Sequence, residues 1–536
     1  WNSSSAWVTA SRNARGQASS HASRQTGSIP RSSADPKPCW ISCCFSSSRA
    51  SRRWVRSFFT SFRVSLSGAG AMLEMNTLGG SAAAAEPVPG SVIRSSNGVL
   101  SATLTVQDVP TKAAGLDIAS GLLTYNGLYS GPTLRVSPGD LLRLNVRNRL
   151  VEPTNMHFHG LHVSPKGRQD NVFVVIDPMD DFEYDVEIPA DHTGGLYWYH
   201  PHLHGLVGKQ LYGGLAGLIV VEGGEAVRPE IAPLRHRLLN LRYLLITDVA
   251  IAPQLVSYDS AEPSNAVHLV NGRHQPTLAM APGETQFWQV CNSSTDAYYN
   301  LALPGGRLQI VEVDGGEVWE SWFPETVPLP PGKRFGILVT APTTPGLRTL
   351  RSGGYNQGPY GQWPAVALAN VEVSDPSNRS VTAPLEMGTA AAFIAQKPVR
   401  QRILDMGEAQ TDENPMFWFD DVPYEKITMK DVISVEANTV EDWVIRNGTT
   451  ASMGTTQESH PYHQHVNDFA VIERGTYDPV TGTVLTRVRT APRSRAASQT
   501  RSTLIRAIGF EFEPNSIAFL AAPFITATSP SMKTKA

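Results

Sequence analysis

The chain of 536 residues is short of charge, short of cysteine and free of long apolar runs. Charged residues make up 17 %, against about a quarter in ordinary globular chains. The net charge is −3, which offers no basic footprint for a nucleic-acid partner. No apolar stretch reaches the roughly 18 residues that a membrane-spanning helix needs, so no transmembrane segment is expected. Of the four cysteines, Cys39, Cys43 and Cys44 lie together near the start and Cys291 stands alone. No disulfide framework can therefore span the chain. Histidine stops at His465 and cysteine at Cys291, so any site needing either must be built upstream. Asp35 is the only acid before Glu74, and residues 479–510 contain none at all.

What is present falls into unequal parts. Residues 1–88 are rich in Ser and Arg and resemble an organellar transit peptide in composition. They read equally well as translated sequence upstream of a start at Met72 or Met75, and either way as a disordered leader. The cluster Cys39-Trp40-Ile41-Ser42-Cys43-Cys44 within it is a weak metal-binding candidate. From about residue 89, short alternating apolar runs are separated by Gly and Pro turns, the pattern of an all-β chain. The length suggests three or four domains. Leu142, Leu144 and Val146 alternate with Arg143, Asn145 and Arg147, a half-buried strand that follows the turn Ser137-Pro138-Gly139-Asp140. Gly217 to Glu222 reads as a closing strand.

Three histidine pairs dominate the chemistry: His157-Phe158-His159, His200-Pro201-His202 and His463-Gln464-His465, the last preceded by His460. On a strand, residues two apart face the same way, so each pair presents two imidazoles about 6–7 Å apart. Three such pairs can converge on a cluster of metal ions. Imidazole suits copper, zinc, iron and nickel, and copper(II) binds tightest in the divalent series. His460 has the opposite parity to His463 and His465 and should face elsewhere. His162 and His204 read as neighbours of the pairs, His192 as a loop residue, and His236, His268 and His274 as surface or turn residues. Cys291 follows an alternating strand and reads as a small apolar residue.

The residues around these pairs extend the pattern. Tyr125-Asn126-Gly127, Gly131-Pro132-Thr133-Leu134-Arg135-Val136, Pro138-Gly139-Asp140 and both early histidine motifs occur together. Val270-Asn271-Gly272, Val313-Asp314-Gly315-Gly316 and Pro331-Gly332-Lys333-Arg334 punctuate a second unit, and Glu441 to Asn447 supplies a strand in a third. From about residue 95 to 473 the chain resembles the three-domain multicopper oxidases, the laccase-like group. The stretch from His200 to Glu222 looks most like the spore-coat, copper-efflux and bilirubin-oxidase-like members. The resemblance implies three cupredoxin-like Greek-key β-sandwich domains, at residues 89–226, 227–390 and 391–478, the third incomplete. Residues 479–536 form an aberrant, Arg-rich tail without recognisable closing strands, which would leave sheet edges exposed.

By the same resemblance the cofactor is copper, up to four ions in the family and fewer here. His157 and His463 would serve the type 2 copper, and His159, His200, His202 and His465 the type 3 pair. His460 would serve the type 1 copper, and Asp170 would assist protonation near the type 2 ion, with a turn aspartate the equal alternative. The partners implied are dioxygen and a small-molecule or metal-ion reductant, in a secreted, periplasmic or organellar setting. The family's last motif, a His-Cys-His core with a further His, is absent. A blue-copper site needs two His and a Cys thiolate, and of that set only His460 is present. Two functions follow: a copper-dependent oxidoreductase acting on phenols, aromatic amines or metal ions, or a copper-binding or scaffold protein without oxidase activity. A zinc site on the same pairs is a weaker third. Asn292, Asn378 and Asn447 head glycosylation-type triplets.

Overall fold

The computed structural model describes residues 6–7, 91–108, 111–113, 116–118, 122–224, 229–244, 266–358, 361–374, 397–410, 415–419, 422–423, 440–447, 459, 461–465, 469, 471, 473–477, 484–489, 505–506 and 516–520. These residues are mostly strand, with one short helix, Val207–Gly213. Among them no helix is long and apolar enough to cross a membrane.

The first domain is a sandwich of two sheets. One has four strands in the order Asp181–Glu187, Leu141–Asn148, Val99–Asp108, Leu123–Tyr125. The other has five, in the order Val92–Arg94, Thr133–Val136, Gly217–Val221, Gly195–His200, His157–His159. The expected alternation holds: Leu142, Leu144 and Val146 are fully buried while Arg143 and Arg147 are exposed. Asn126 and Gly127 both take positive φ, 55° and 76°. This is the backbone of a tight hairpin turn, which Asn-Gly adopts readily. Their turn is locked where the Asn126 amide donates to the Thr103 carbonyl at 3.0 Å.

The second domain repeats the plan with a seven-stranded and a five-stranded sheet. Asn271 and Gly272 make the same positive-φ turn, at 52° and 72°. Its core joins Leu239, Leu241, Trp288, Ile310, Ile337 and Leu368, all buried. The third sheet is built on Arg400–Gln410 and the expected strand Glu441–Asn447, paired in parallel from Arg400↔Glu441 to Met406↔Asn447. Here the structure departs from expectation. Ser516–Leu520 lies antiparallel to Glu441–Asn447, and Val484–Arg489 pairs with Glu473–Tyr477. Segments of the Arg-rich tail thus supply edge partners that its composition hid. Backbone hydrogen bonds do not depend on side-chain polarity, so a basic segment can still fill a sheet edge. The leader falls outside the described residues except Ala6–Trp7, which runs parallel to Tyr462–His463.

Candidate metal centre

Two histidine pairs of the first domain meet at the edge of its five-stranded sheet. His157–His159 pairs antiparallel with Gly195–His200, in the register His200↔His157, Tyr199↔Phe158 and Trp198↔His159. Alternation then sorts the side chains. Phe158 and Tyr199 enter the domain core. His157, His159, Trp198 and His200 share the opposite face. Trp198 lies against both His200 and His159, at centroid distances of 4.2 and 4.7 Å. The Tyr199 hydroxyl donates to the Pro132 carbonyl at 2.8 Å, which pins the back of the strand.

The second pair keeps its spacing but not its strand. His200 ends the strand and His202 lies beyond it, because Pro201 has no N–H to continue the ladder. His202 still turns inward, its backbone N–H donating to Asn155 Oδ1 at 2.6 Å. The Asn155 amide in turn donates to the Val172 carbonyl at 2.8 Å. Asn155 therefore ties the chain before His157 to the chain at His202, a role its sequence context did not signal. The third pair arrives on Tyr462–His463, with His465 just past its end. His460 lies outside the described residues.

The three pairs converge. His463 stacks on His159 with centroids 3.8 Å apart, and His465 stacks on His157 at 4.1 Å. His202 stands edge-on to both His157 and His465, at 5.4 and 5.2 Å. Donor atoms of His157, His159 and His463 lie within 4.8 Å of one another, as do those of His157, Asp170 and His465. His159 Nδ1 and His200 Nε2 are 3.4 Å apart. That is the separation of two nitrogens each bonded to one ion at ~2.0 Å.

Electrostatics favour the ligand form of every ring. Burial is the first cause in each case, and neighbouring imidazoles add to it. Together they lower His157, His159, His200, His463 and His465 well below the ordinary value. His202 is lowered to about 3. Neutral imidazole is the species that coordinates a metal. Tautomers are set by fixed acceptors. His200 Nδ1 donates to the Pro201 carbonyl at 2.8 Å, which leaves Nε2 as the lone pair. His157 Nδ1 donates to Asp170, 2.8 and 3.0 Å from its two oxygens.

Asp170 is no simple turn residue. It is 1 % exposed and also accepts the Phe158 N–H at 2.8 Å. Burial pushes its carboxyl up to about 7, against the lowering effect of that backbone bond and of His202. A buried acid beside a metal-facing imidazole is the arrangement that orients such ligands. The donor set therefore fits a borderline transition metal such as copper or zinc: neutral imidazoles, four of them buried and His463 and His465 half-buried, with at least two tautomers fixed.

Cys291 packs fully buried with Leu196, Trp198, Leu218 and Val220, and burial pushes its thiol up to about 12. His192 is a loop residue but a buried one. It accepts the His162 N–H at 3.0 Å and donates to the Thr193 carbonyl at 2.9 Å. His204 is exposed, as are His236 and His274. His268 corrects the surface reading. It is 5 % exposed, with Nδ1 3.1 Å from the Tyr299 hydroxyl, because its strand Val267–Val270 pairs within the seven-stranded sheet. Asn292 and Asn447 are also buried. The Asn292 amide donates to the Ala297 and Leu329 carbonyls at 2.7 and 2.9 Å, so it is no acceptor for a glycan in the folded chain. Asn378 lies outside the described residues.

Comparison with known proteins agrees with this geometry. Residues 109–226, 249–357 and 395–507 each match a family profile described as multicopper oxidase. The multicopper oxidase mco of Staphylococcus epidermidis is 28 % identical over 252 residues, covering 46 % of this chain and 54 % of the relative. The cell division protein FtsP of Sodalis glossinidius is 31 % identical over 224 residues, 40 % of this chain and 45 % of the relative. The chain thus spans about half the length of these curated relatives. A multicopper oxidase from Campylobacter jejuni, described as a metallo-oxidase, superposes with a TM-score of 0.64 at 23 % identity, over 80 % of this chain and 88 % of that one. That structural likeness establishes the fold. Together with the three matching profiles it leads to one assignment: the chain belongs to the multicopper oxidase family.

Proposed function

We propose that the chain is a copper-dependent oxidoreductase. It would couple one-electron oxidation of phenols, aromatic amines or metal ions to reduction of dioxygen to water. The observation that carries this reading is the convergence of six neutral imidazoles from three separated segments on one largely buried cage. His157 and His463 are proposed to hold one ion, and His159, His200, His202 and His465 the others. Copper, when bound, supplies the one-electron steps between reductant and dioxygen. The chain's own residues prepare the site. Asp170 holds the His157 Nδ1 proton and so aims Nε2 at the cage. With a carboxyl pushed up to about 7, it exchanges a proton near neutral pH. Trp198 covers the rings of His159 and His200 and keeps water from that side.

A second reading, a copper-binding protein without oxidase activity, is favoured by Cys291. Among the described residues it is the one cysteine, and it is fully buried in an apolar cluster with its thiol kept in the protonated form. The likeness to a relative named for cell division also fits a role other than oxidation, since one fold carries many functions. Copper loading of the full chain separates the two. Oxygen uptake with a phenolic dye supports the oxidoreductase. Stoichiometric copper with no intense thiolate-to-copper band and no uptake supports the second reading. Failure to bind copper defeats both.

A further inference from the structure

The second domain contributes no histidine to the cage, yet two of its turns press on the strands that do. Both are glycine turns flagged by the sequence. Gly315 abuts the start of the strand Gly195–His200, where a Cβ added at Gly195 would lie 2.4 Å from the Gly315 carbonyl oxygen. Gly332 abuts the cage itself. A Cβ there would lie 3.1 Å from His159 Cε1, 3.5 Å from His159 Nε2 and 3.8 Å from Trp198 Cζ2. The Nε2 edge of His159 thus faces Gly332, while its Nδ1 edge faces His200 Nε2. Gly332 has φ +79°, and its N–H donates to the Asn292 carbonyl at 2.8 Å.

Arg334 binds these parts together. Its side chain is 4 % exposed. Nη1 donates to the Gly332 carbonyl at 3.0 Å and Nη2 to the Asp314 carbonyl at 2.9 Å. Nε reaches across to the Leu196 carbonyl, in the His200 strand, at 3.3 Å. The guanidinium also lies against Gly160, the residue after His159. A Cβ at Gly160 would sit 2.3 Å from Nη2. A planar fork with fixed donors can hold three carbonyls at set angles, which a lysine cannot reproduce.

We infer that Arg334 and Gly332 are positioning residues for His159. The ligand-free domain decides, through them, which edge of that imidazole faces the cage. The inference rests on the copper-site reading above.

The test uses the full chain and its variants Arg334→Lys and Gly332→Ala. Leu350→Ala, a core truncation in the other sheet of the second domain, serves as a control for stability alone. Copper affinity is read by competition with a chelator, the ligand field by electron paramagnetic resonance, and folding by thermal melts of the apo proteins. We expect both positioning variants to lose about 10- to 100-fold in affinity with an altered copper spectrum, and Leu350→Ala to melt lower with native affinity and spectrum. Equal affinity and identical spectra in all variants would overturn the inference, as would an equal loss in Leu350→Ala. Failure of both positioning variants to fold would assign them to the fold alone and overturn it too. If the native chain binds no copper, the site reading itself fails, a separate result.

Discussion

Replacing Asp170 by Asn tests the site with a near-isosteric change. In the native chain one Asp170 oxygen lies 2.8 Å from both His157 Nδ1 and the Phe158 nitrogen, and the other lies 3.0 Å from His157 Nδ1. Asn must place an NH2 group at one of these positions, facing a donor. With the Asn oxygen at the 2.8 Å position the NH2 takes the 3.0 Å one, so His157 keeps its Nδ1 proton but exchanges a charge-assisted, two-oxygen partner for one neutral acceptor crowded by a donor. The pair is fully buried, so solvent does not screen it. A hydrogen bond to a charged group contributes about 1.5–3 kcal/mol, which corresponds to about a 10- to 150-fold change in affinity. We expect Asp170→Asn to weaken copper binding by that factor at pH 8 and to alter the spectrum of the ion held by His157. The native affinity should also fall as pH drops through about 7, where Asp170 takes up a proton, and the Asn variant should lack that step. Chelator competition across pH 6–9 measures both. An Asn variant within twofold of native, with the same pH profile, would show that Asp170 is a structural acid and refute the reasoning.

Other expectations follow from burial. Histidines held neutral cost stability wherever the unfolded chain is protonated and the native chain is not. His192 and His202 are both lowered to about 3 from 6.5. The apo fold should therefore gain stability as pH rises from about 3 to 6.5. Asp170, raised from 3.8 to about 7, works the other way over most of that range. The six cage histidines and His192 outnumber it, so denaturant melts at pH 4 and 6.5 should show net stabilisation at the higher pH. The Cys291 thiol, pushed up to about 12, should resist thiol reagents at pH 8 until the chain unfolds, and Cys291→Ala should keep native copper stoichiometry. Gly214→Ala should lower stability by more than about 2 kcal/mol in a thermal melt. Its φ is +139°, and the new Cβ would lie 2.1 Å from the Leu123 carbonyl oxygen.

What could be read from the sequence was local. The alternation at Leu142, Leu144 and Val146 fixed a face, and Asn126-Gly127 and Asn271-Gly272 fixed turns, because those preferences act within a few residues. The i, i+2 spacing held for His157 and His159, whose whole strand is those residues and Phe158. It misdescribed His202, which reaches the cage through Asn155 from beyond the strand. That Trp198 lies against both His159 and His200 was not legible, since it depends on register with a strand some forty residues away. His268 and Asn292 looked like surface residues because a histidine or an Asn-Ser-Ser triplet carries no mark of burial. Arg334 was equally silent. Two of the groups it meets, Leu196 and Gly160, lie in another domain.

The cage itself runs against the rules that shape the rest of the chain. Elsewhere, inward-facing strand positions are Leu, Val, Ile or an aromatic, as in Leu134, Leu142 and Ile219. At the edge of the five-stranded sheet, on the face opposite that core, strand positions carry imidazoles whose burial suppresses their charge. Burying polar rings against one another supplies little of the apolar transfer energy that stabilises the sandwich. A locally unfavourable cluster persists where the surrounding fold over-determines it and where binding returns the cost. A metal that binds only the folded chain stabilises it by RT ln(1 + [L]/Kd), about 4 kcal/mol at a thousandfold excess over Kd. The apo chain should accordingly melt lower than the copper-loaded one. The difference should grow with free copper concentration, and it should shrink in Asp170→Asn in proportion to the lost affinity. A copper-independent melting temperature would mean that the six imidazoles are held by packing alone and that the cage is not a metal site.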